Sequence, residues 1–171
     1  MPLKIRGAGP EDAPDIATLH VRAWRAAYPG IVPDEVLARL SIPDRSARWR
    51  EQLADGPEQQ RTLVAEDQGA VVGFVAMGPN RDPFADPGTA EVYAIYVDPE
   101  LWGRGIGSSL LARGVEELRG AGHPSATLWV LAANEPARRF YESRGWEADG
   151  STKLYPAGDV ELAEVRYRIE L

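Results

Sequence analysis

The sequence predicts an α+β domain built on a mixed, mostly antiparallel sheet. Three observations carry that prediction. Segments of strand-like alternation and of helical periodicity follow one another in the order β-αα(α)-βββ-α-β-α-ββ. The central strand, Glu91 to Val97, runs through Asp98-Pro99 into a glycine-rich loop and then a helix. No repeat, low-complexity tract or long linker interrupts the 171 residues, so residues 1–171 are expected to form a single domain.

Each element has its own local reason. Leu3 to Arg6 is a short first strand. Gly9-Pro10-Glu11-Asp12 starts a helix with acidic residues in its first turn, which suits the helix dipole. Ile16, Leu19, Ala23 and Ala27 make its apolar stripe, His20, Trp24 and Tyr28 form a second line beside it, and Pro29-Gly30 stops it. Pro33-Asp34-Glu35 opens a short helix through Leu40, and Pro43-Asp44 a third through about Leu53. Arg61 to Glu66 and Ala70 to Met77 read as a hairpin turning at Asp67-Gln68-Gly69. Gly78 to Gly88 is rich in breakers and is expected to be an exposed loop.

Glu91 to Val97 is rich in β-branched and aromatic residues, and Asp98-Pro99 ends it. Ile106, Leu110, Gly114 and Leu118, with Leu111 and Val115 beside them, mark a helix to about Arg119. Gly120-Ala121-Gly122-His123-Pro124 stops it, and Ala126 to Leu131 is a strand. Asn134 to Arg144 is a helix with Gly145 at its C-cap position. Trp146 to Thr152 and Glu161 to Glu170 are closing strands, joined by a turn at Pro156-Ala157-Gly158-Asp159. The last of them could offer a free edge to a second copy in a homodimer.

Composition excludes several classes. The chain is 44% hydrophobic and 26% charged, as expected of a soluble globular protein. No apolar run is long enough to span a bilayer, and Met1 to Arg6 lacks the apolar region of a signal peptide. With no cysteine there is no disulfide, catalytic thiol or thiolate metal site, and the cytoplasm is the default location. A net charge of −7 argues against nucleic acid as the main partner and is compatible with a cationic acceptor. The only histidines, His20 and His123, lack metal-site spacing. His20 reads as a helix-packing residue and His123 as a solvated turn residue.

The chemistry centres on Gly103-Arg104-Gly105-Ile106-Gly107-Ser108. Glycines there let backbone N–H groups approach a ligand, and a helix N-terminus favours an anion, so the stretch reads as a diphosphate cradle. A P-loop would need Lys before its Ser/Thr, and a dinucleotide fingerprint would need G-x-G-x-x-G on a first strand. Neither fits the order seen here. A plain strand–helix connection is the alternative that the stretch alone leaves open.

The segment from Ile95-Tyr96-Val97-Asp98-Pro99 through Gly103-Arg104-Gly105-Ile106-Gly107 resembles motif A of the GNAT acetyltransferases. In that family the segment holds the pyrophosphate of acetyl-CoA. The family usually has Gln or Arg where this chain has Trp102, so backbone amides, helped by Arg104, are expected to hold the phosphates. About 25 residues later, Asn134-Glu135-Pro136-Ala137-Arg138-Arg139-Phe140-Tyr141 to Gly145-Trp146 resembles motif B, N-x-x-A-x-x-F-Y-x-x-x-G-F. The resemblance covers essentially the whole chain and implies the GNAT fold, with a central sheet of about seven strands.

The resemblance also implies roles. Ile95, Tyr96, Val97, Gly103, Arg104, Gly105, Ile106, Gly107, Ser108, Asn134, Ala137 and Tyr141 would bind acetyl-CoA as co-substrate, with no metal. Asn134 is equally a good helix N-cap. A bulge at which this strand splays from its neighbour would free a backbone amide near Tyr96-Val97 for the acetyl carbonyl. Tyr141 would protonate the leaving thiolate, and Glu91 would be the base, since an amine must lose a proton before it attacks. The first helices would close over the acceptor, making Trp24, Tyr28 and His20 pocket candidates, with the 78–88 loop as the opposite wall. The expected function is direct acetyl transfer in a ternary complex to a primary amine, of a small molecule in the first instance. A protein lysine or α-amine acceptor, and a non-catalytic acyl-CoA sensor, are the competing readings.

Overall fold

The computed structural model describes residues 2–171. Seven strands are formed: β1 (Lys4–Gly7), β2 (Arg61–Asp67), β3 (Ala70–Pro79), β4 (Ala90–Val97), β5 (Ser125–Leu131), β6 (Glu147–Ala157) and β7 (Val160–Glu170). Five α-helices accompany them: α1 (Ala13–Ala27), α2 (Asp34–Ala38), α3 (Ile42–Asp55), α4 (Ile106–Gly120) and α5 (Glu135–Glu142). The sheet order is β1-β2-β3-β4-β5-β7-β6. Every neighbouring pair is antiparallel except β4–β5, which is parallel and joined through α4.

The two faces of the sheet carry different layers. On one, Ile106, Leu110, Leu111 and Leu118 of α4 and Tyr141 of α5 pack over Val75, Met77, Val92, Leu128 and Tyr167. A Cβ on Gly73 of β3 would come within 2.9 Å of Leu110 Cδ1, so its absence lets α4 lie close to the strand. On the other face, Ile16 and Leu19 of α1 and Trp49 of α3 cover Val64, Phe74 and Ala76. Beside them Tyr28, Val32 and Leu37 cover Leu131 and Ala157.

Two local irregularities open the sheet. β3 and β4 shift register between Ala76 and Met77, pairing Ala76 with Ala94 but Met77 with Val92. Tyr93 is therefore an extra residue, a bulge on β4. Before it, Ala90 to Val92 pair with Ala126 to Leu128 of β5. Beyond it β4 pairs only with β3, while β5 continues beside β7 alone. The two parallel strands part after Val92.

Several expectations need correction. The last strand is not an edge: β7 lies between β5 and β6, so the free edges belong to β1 and β6. Sequence order hides this because the β6–β7 hairpin folds back to place its second strand inward. β6 extends to Ala157, which leaves only Gly158-Asp159 in the turn, and its edge position tolerates Pro156. His123 is not a free turn residue, since its Nδ1 is 2.7 Å from Gly88 O and ties the 78–88 loop to the start of β5. No helix among the described residues is long and apolar enough to cross a membrane.

Candidate active site

The cradle is built by the strand–loop–helix connection itself. Gly105 is the N-cap of α4 and adopts φ 82°, a left-handed conformation that disfavours side chains, and a Cβ there would meet nothing within 4 Å. Arg104 N donates to Leu101 O and Ser109 N to Gly105 O. Among the described residues the amides of Gly103, Gly105, Ile106, Gly107 and Ser108 have no such partner. They form an open set of donors at a helix N-terminus, the arrangement that takes a phosphate. Gly107 has a second duty: a Cβ would lie 3.4 Å from Phe140, so it seats α4 against α5.

A cation that sequence reasoning missed borders this cradle. Arg144 donates to Ser108 Oγ and lies 4.0 Å over the Phe140 ring. Its spacing of four residues from Phe140 at a helix end was the available signal. Arg138, by contrast, is committed elsewhere, donating to Tyr167 Oη at 3.1 Å and Ala132 O at 3.0 Å. Asn134 caps α5, accepting from Ala137 N at 3.3 Å. Trp102 is half exposed, and its indole N–H donates to Val97 O at 2.9 Å. It folds back onto β4 and supplies no polar group to the cradle.

The parting of β4 and β5 continues the cradle inward. Asp98 N donates to Val72 O, so by strand alternation the amides of Tyr96 and Ala94 face β3. Those of Ile95 and Val97 face the parting, unpaired. Tyr141 lies on the α4–α5 side of the sheet, and its hydroxyl has no hydrogen-bond partner among the described residues. Burial and the neighbouring Tyr96 push its ionisation upwards, so at neutral pH it keeps its proton.

The opposite face carries the acceptor candidates. Tyr28 and Tyr96 hydroxyls are 3.1 Å apart, and Trp24 packs edge-on to Tyr28 with ring centroids 5.0 Å apart. Trp24 Nε1 is buried with no partner among the described residues. His20 stacks on Tyr96 at 4.8 Å and meets Trp24, Trp49 and Phe74 edge-on, and this enclosure, with Arg45 nearby, pushes its pKa down to about 3. It is a neutral packing residue. Trp24 and Tyr28 are thus brought together; Tyr96, expected on the cofactor side, turns its ring to this group, and Tyr155 of β6 joins it 6.4 Å from Trp24.

Glu91, the expected base, lies on this face at 2% exposure. Its oxygens accept from Arg81 N at 2.9 Å, Nε at 3.1 Å and Nη2 at 2.8 Å. These bonds engage both carboxylate oxygens with one arginine. The carboxylate fastens the start of the 78–88 loop, whose Asp82 in turn accepts from Trp129 Nε1 at 3.0 Å and pairs with Arg166 at 3.3 Å. That loop is pinned across β5 and β7, an anchoring its breaker-rich sequence concealed, and it stands on the face of the acceptor candidates. Among the described residues no group of three or more His, Cys, Asp or Glu is arranged to hold a metal ion.

A sequence profile described as "Acetyltransferase (GNAT) family" matches residues 17–146. The chain belongs to the GNAT acetyltransferase family. It is 35% identical to the uncharacterized N-acetyltransferase YuaI of Bacillus subtilis over 162 residues, covering 94% of this chain and 89% of the relative. It is 31% identical to the probable N-acetyltransferase Rv2775 of Mycobacterium tuberculosis, covering 98% and 93%. Among solved structures, PaiA N-acetyltransferase from Thermoplasma acidophilum in complex with coenzyme A superposes with a TM-score of 0.75 over 100% of both chains at 18% identity. This GNAT chain thus has the family's fold from end to end, and it is an N-acetyltransferase.

Proposed function

We propose that this GNAT enzyme transfers the acetyl group of acetyl-CoA directly to the primary amine of a small molecule, with both substrates held together in one cleft. The observation that carries the reading is the parting of β4 and β5 after Val92, which leads from the open amides of the cradle to the aromatic acceptor face. When bound, acetyl-CoA supplies an activated acetyl thioester. The amides of Gly105, Ile106, Gly107 and Ser108, with Arg104 and Arg144, hold its diphosphate. The amides of Ile95 and Val97 offer donors to the acyl carbonyl and the pantetheine arm. Tyr141, kept protonated by burial, gives its proton to the departing sulfur. Holding both reactants at one parting of the sheet supplies much of the rate by proximity.

A small acceptor is favoured over a protein because the acceptor face is walled on two sides. Tyr28 and Trp24 close one side. The loop fastened by Glu91–Arg81, Asp82–Arg166 and Asp86–Arg168 closes the other. The cysteine-free sequence suits a reducing compartment, the cytoplasm. Were a homodimer to form through sheet pairing, β6 would be the strand that pairs. Thiol release from acetyl-CoA with a panel of free amines, run beside the same amines on peptides, tests the proposal. Turnover confined to peptides would overturn the small-molecule reading, and cofactor binding without turnover on either would favour a sensor.

A further inference from the structure

With Glu91 occupied by Arg81, the acceptor face still needs a group to receive the proton of an ammonium. We propose that Glu164 of β7 is that group: its carboxylate takes the acceptor's ammonium and then its proton. The inference rests on the acetyl-transfer reading above.

Placement is the first argument. Along β7, Leu162, Glu164 and Arg166 share one face by strand alternation. Leu162 lies under the segment that carries Tyr28 and Val32. Arg166 lies under the loop that carries Asp82, 3.3 Å away. Glu164 is therefore in the strip between the two walls. Its register partner on β5 is Leu131, on the stretch that has already left β4.

The second argument is the state of the carboxylate. Its side chain is 13% exposed, so it can be reached yet is largely out of water. Its nearest cation, Lys153 Nζ, is 3.8 Å away, beyond hydrogen-bond distance, and sits 4.3 Å over the Trp129 ring. No described residue donates a hydrogen bond to Glu164. A mostly buried carboxylate without a donor is an incomplete arrangement, and an ammonium group completes it.

The surroundings act in the same direction. Lys153 and Tyr155 face Glu164 from β6, Glu91 from β4, and Arg81 and Asp82 from the loop, with Arg166 next along its own face. Burial is the largest influence and lifts its ionisation above the ordinary glutamate range; Lys153 and Arg81 oppose that, and Glu91 and Asp82 add to it. A carboxylate moved towards neutrality is a better match for a proton from an amine. Tyr155, which lies close enough to feel the Glu164 charge, gives the cation an aromatic neighbour.

The balance is simple. One N–H bond of the ammonium breaks and its proton joins a Glu164 oxygen. The freed lone pair forms the bond to the acetyl carbon as the bond from that carbon to sulfur breaks. Sulfur takes the Tyr141 proton, the second amine proton restores Tyr141, and Glu164 releases its own to solvent.

The test uses the whole chain with acetyl-CoA and four probe amines: n-butylamine, tyramine, spermidine and glycinamide. Thiol release is followed from about pH 6 to about pH 9 for the wild type, Glu164→Gln and Glu164→Asp, beside the melting-temperature rise given by acetyl-CoA. Glu164→Gln should lower kcat/KM for the best probe by about 100-fold or more, mostly in kcat. It should also erase the acid limb of the pH profile and leave the acetyl-CoA-induced rise unchanged. Glu164→Asp should keep the limb with part of the rate, and decides the matter if the Gln variant does not fold. A Gln variant within about threefold of wild type at every pH, or, if that variant does not fold, an Asp variant that lacks the acid limb, would overturn the inference and leave the enzyme reading intact. So would a variant that loses the acetyl-CoA-induced rise, because its defect would then lie in the cofactor half. Wild type that binds acetyl-CoA yet releases no thiol with any probe would overturn this inference together with the small-amine reading.

Discussion

Glu91→Gln should cost stability and spare catalysis. The Glu91 carboxylate is 2% exposed and accepts from three nitrogens of Arg81 at 2.8–3.1 Å. A glutamine keeps one acceptor oxygen but turns an NH2 towards guanidinium donors. Hydrogen bonds to charged groups contribute about 1.5–3 kcal/mol each. Oε2 accepts two of the three bonds, so a glutamine oxygen placed there loses only the Nη2 bond; the Arg81 side chain is 59% exposed and can return to water, so that loss should be discounted to roughly 1 kcal/mol. A poorly satisfied buried amide adds about 1 kcal/mol. The sum is about 2 kcal/mol, or a fall in Tm of roughly 4–8 °C for a chain of this size. Urea unfolding should show a lower midpoint at unchanged slope. A cycle with Arg81→Gln should recover about 1 kcal/mol or more of coupling. Thiol release should stay within about tenfold of wild type. Wild-type stability combined with a loss of about 100-fold or more in kcat would refute the reasoning and make Glu91 the base after all.

Two further predictions follow from the same geometry. Tyr141→Phe removes a hydroxyl that has no partner among the described residues, so stability should change by less than about 1 kcal/mol while kcat falls by about 100-fold and acetyl-CoA affinity holds; an unchanged kcat would remove Tyr141 from the chemistry. His20 has a folded pKa near 3 against an unfolded value of 6.5, so the unfolded chain binds a proton that the fold refuses. Stability is then full above about pH 6.5 and is lost as the pH falls towards 3, with about 2 kcal/mol gone by pH 5. His20→Phe should flatten that part of the urea-unfolding profile, and parallel profiles for the two proteins would contradict the assignment.

The fold was readable where one local pattern decides a segment. The α4 stripe of Ile106, Leu110 and Leu118 is buried as its spacing requires. The Gln68-Gly69 turn takes positive φ at both residues, as a tight hairpin demands. What failed was long-range. Nothing near Val160 to Glu170 announces that this strand inserts between β5 and β6, because that is settled by which partner buries Tyr167, 0% exposed, against Tyr141 and Leu128. The site divides in the same way. Gly105 and Asn134 sit in local turns that their own neighbours define. Arg81 finds Glu91 across a ten-residue loop, and Glu164 reaches the acceptor face only because β7 lies beside β5. Alternation alone could have put Glu164 on the face of Leu162, but no local signal says what that face meets.

The claim on which the rest depends is that acetyl-CoA occupies the cradle and the parting of β4 and β5. Calorimetric titration of acetyl-CoA into wild type and Gly105→Val tests it most directly. Gly105 has φ 82° and open space where a Cβ would stand, so valine would both strain the loop and fill the cradle. The account predicts micromolar binding by the wild type and a loss of about 100-fold or more in a folded Gly105→Val variant. Equal affinity in the two proteins would contradict the phosphate assignment, and no binding by the wild type would contradict the account as a whole.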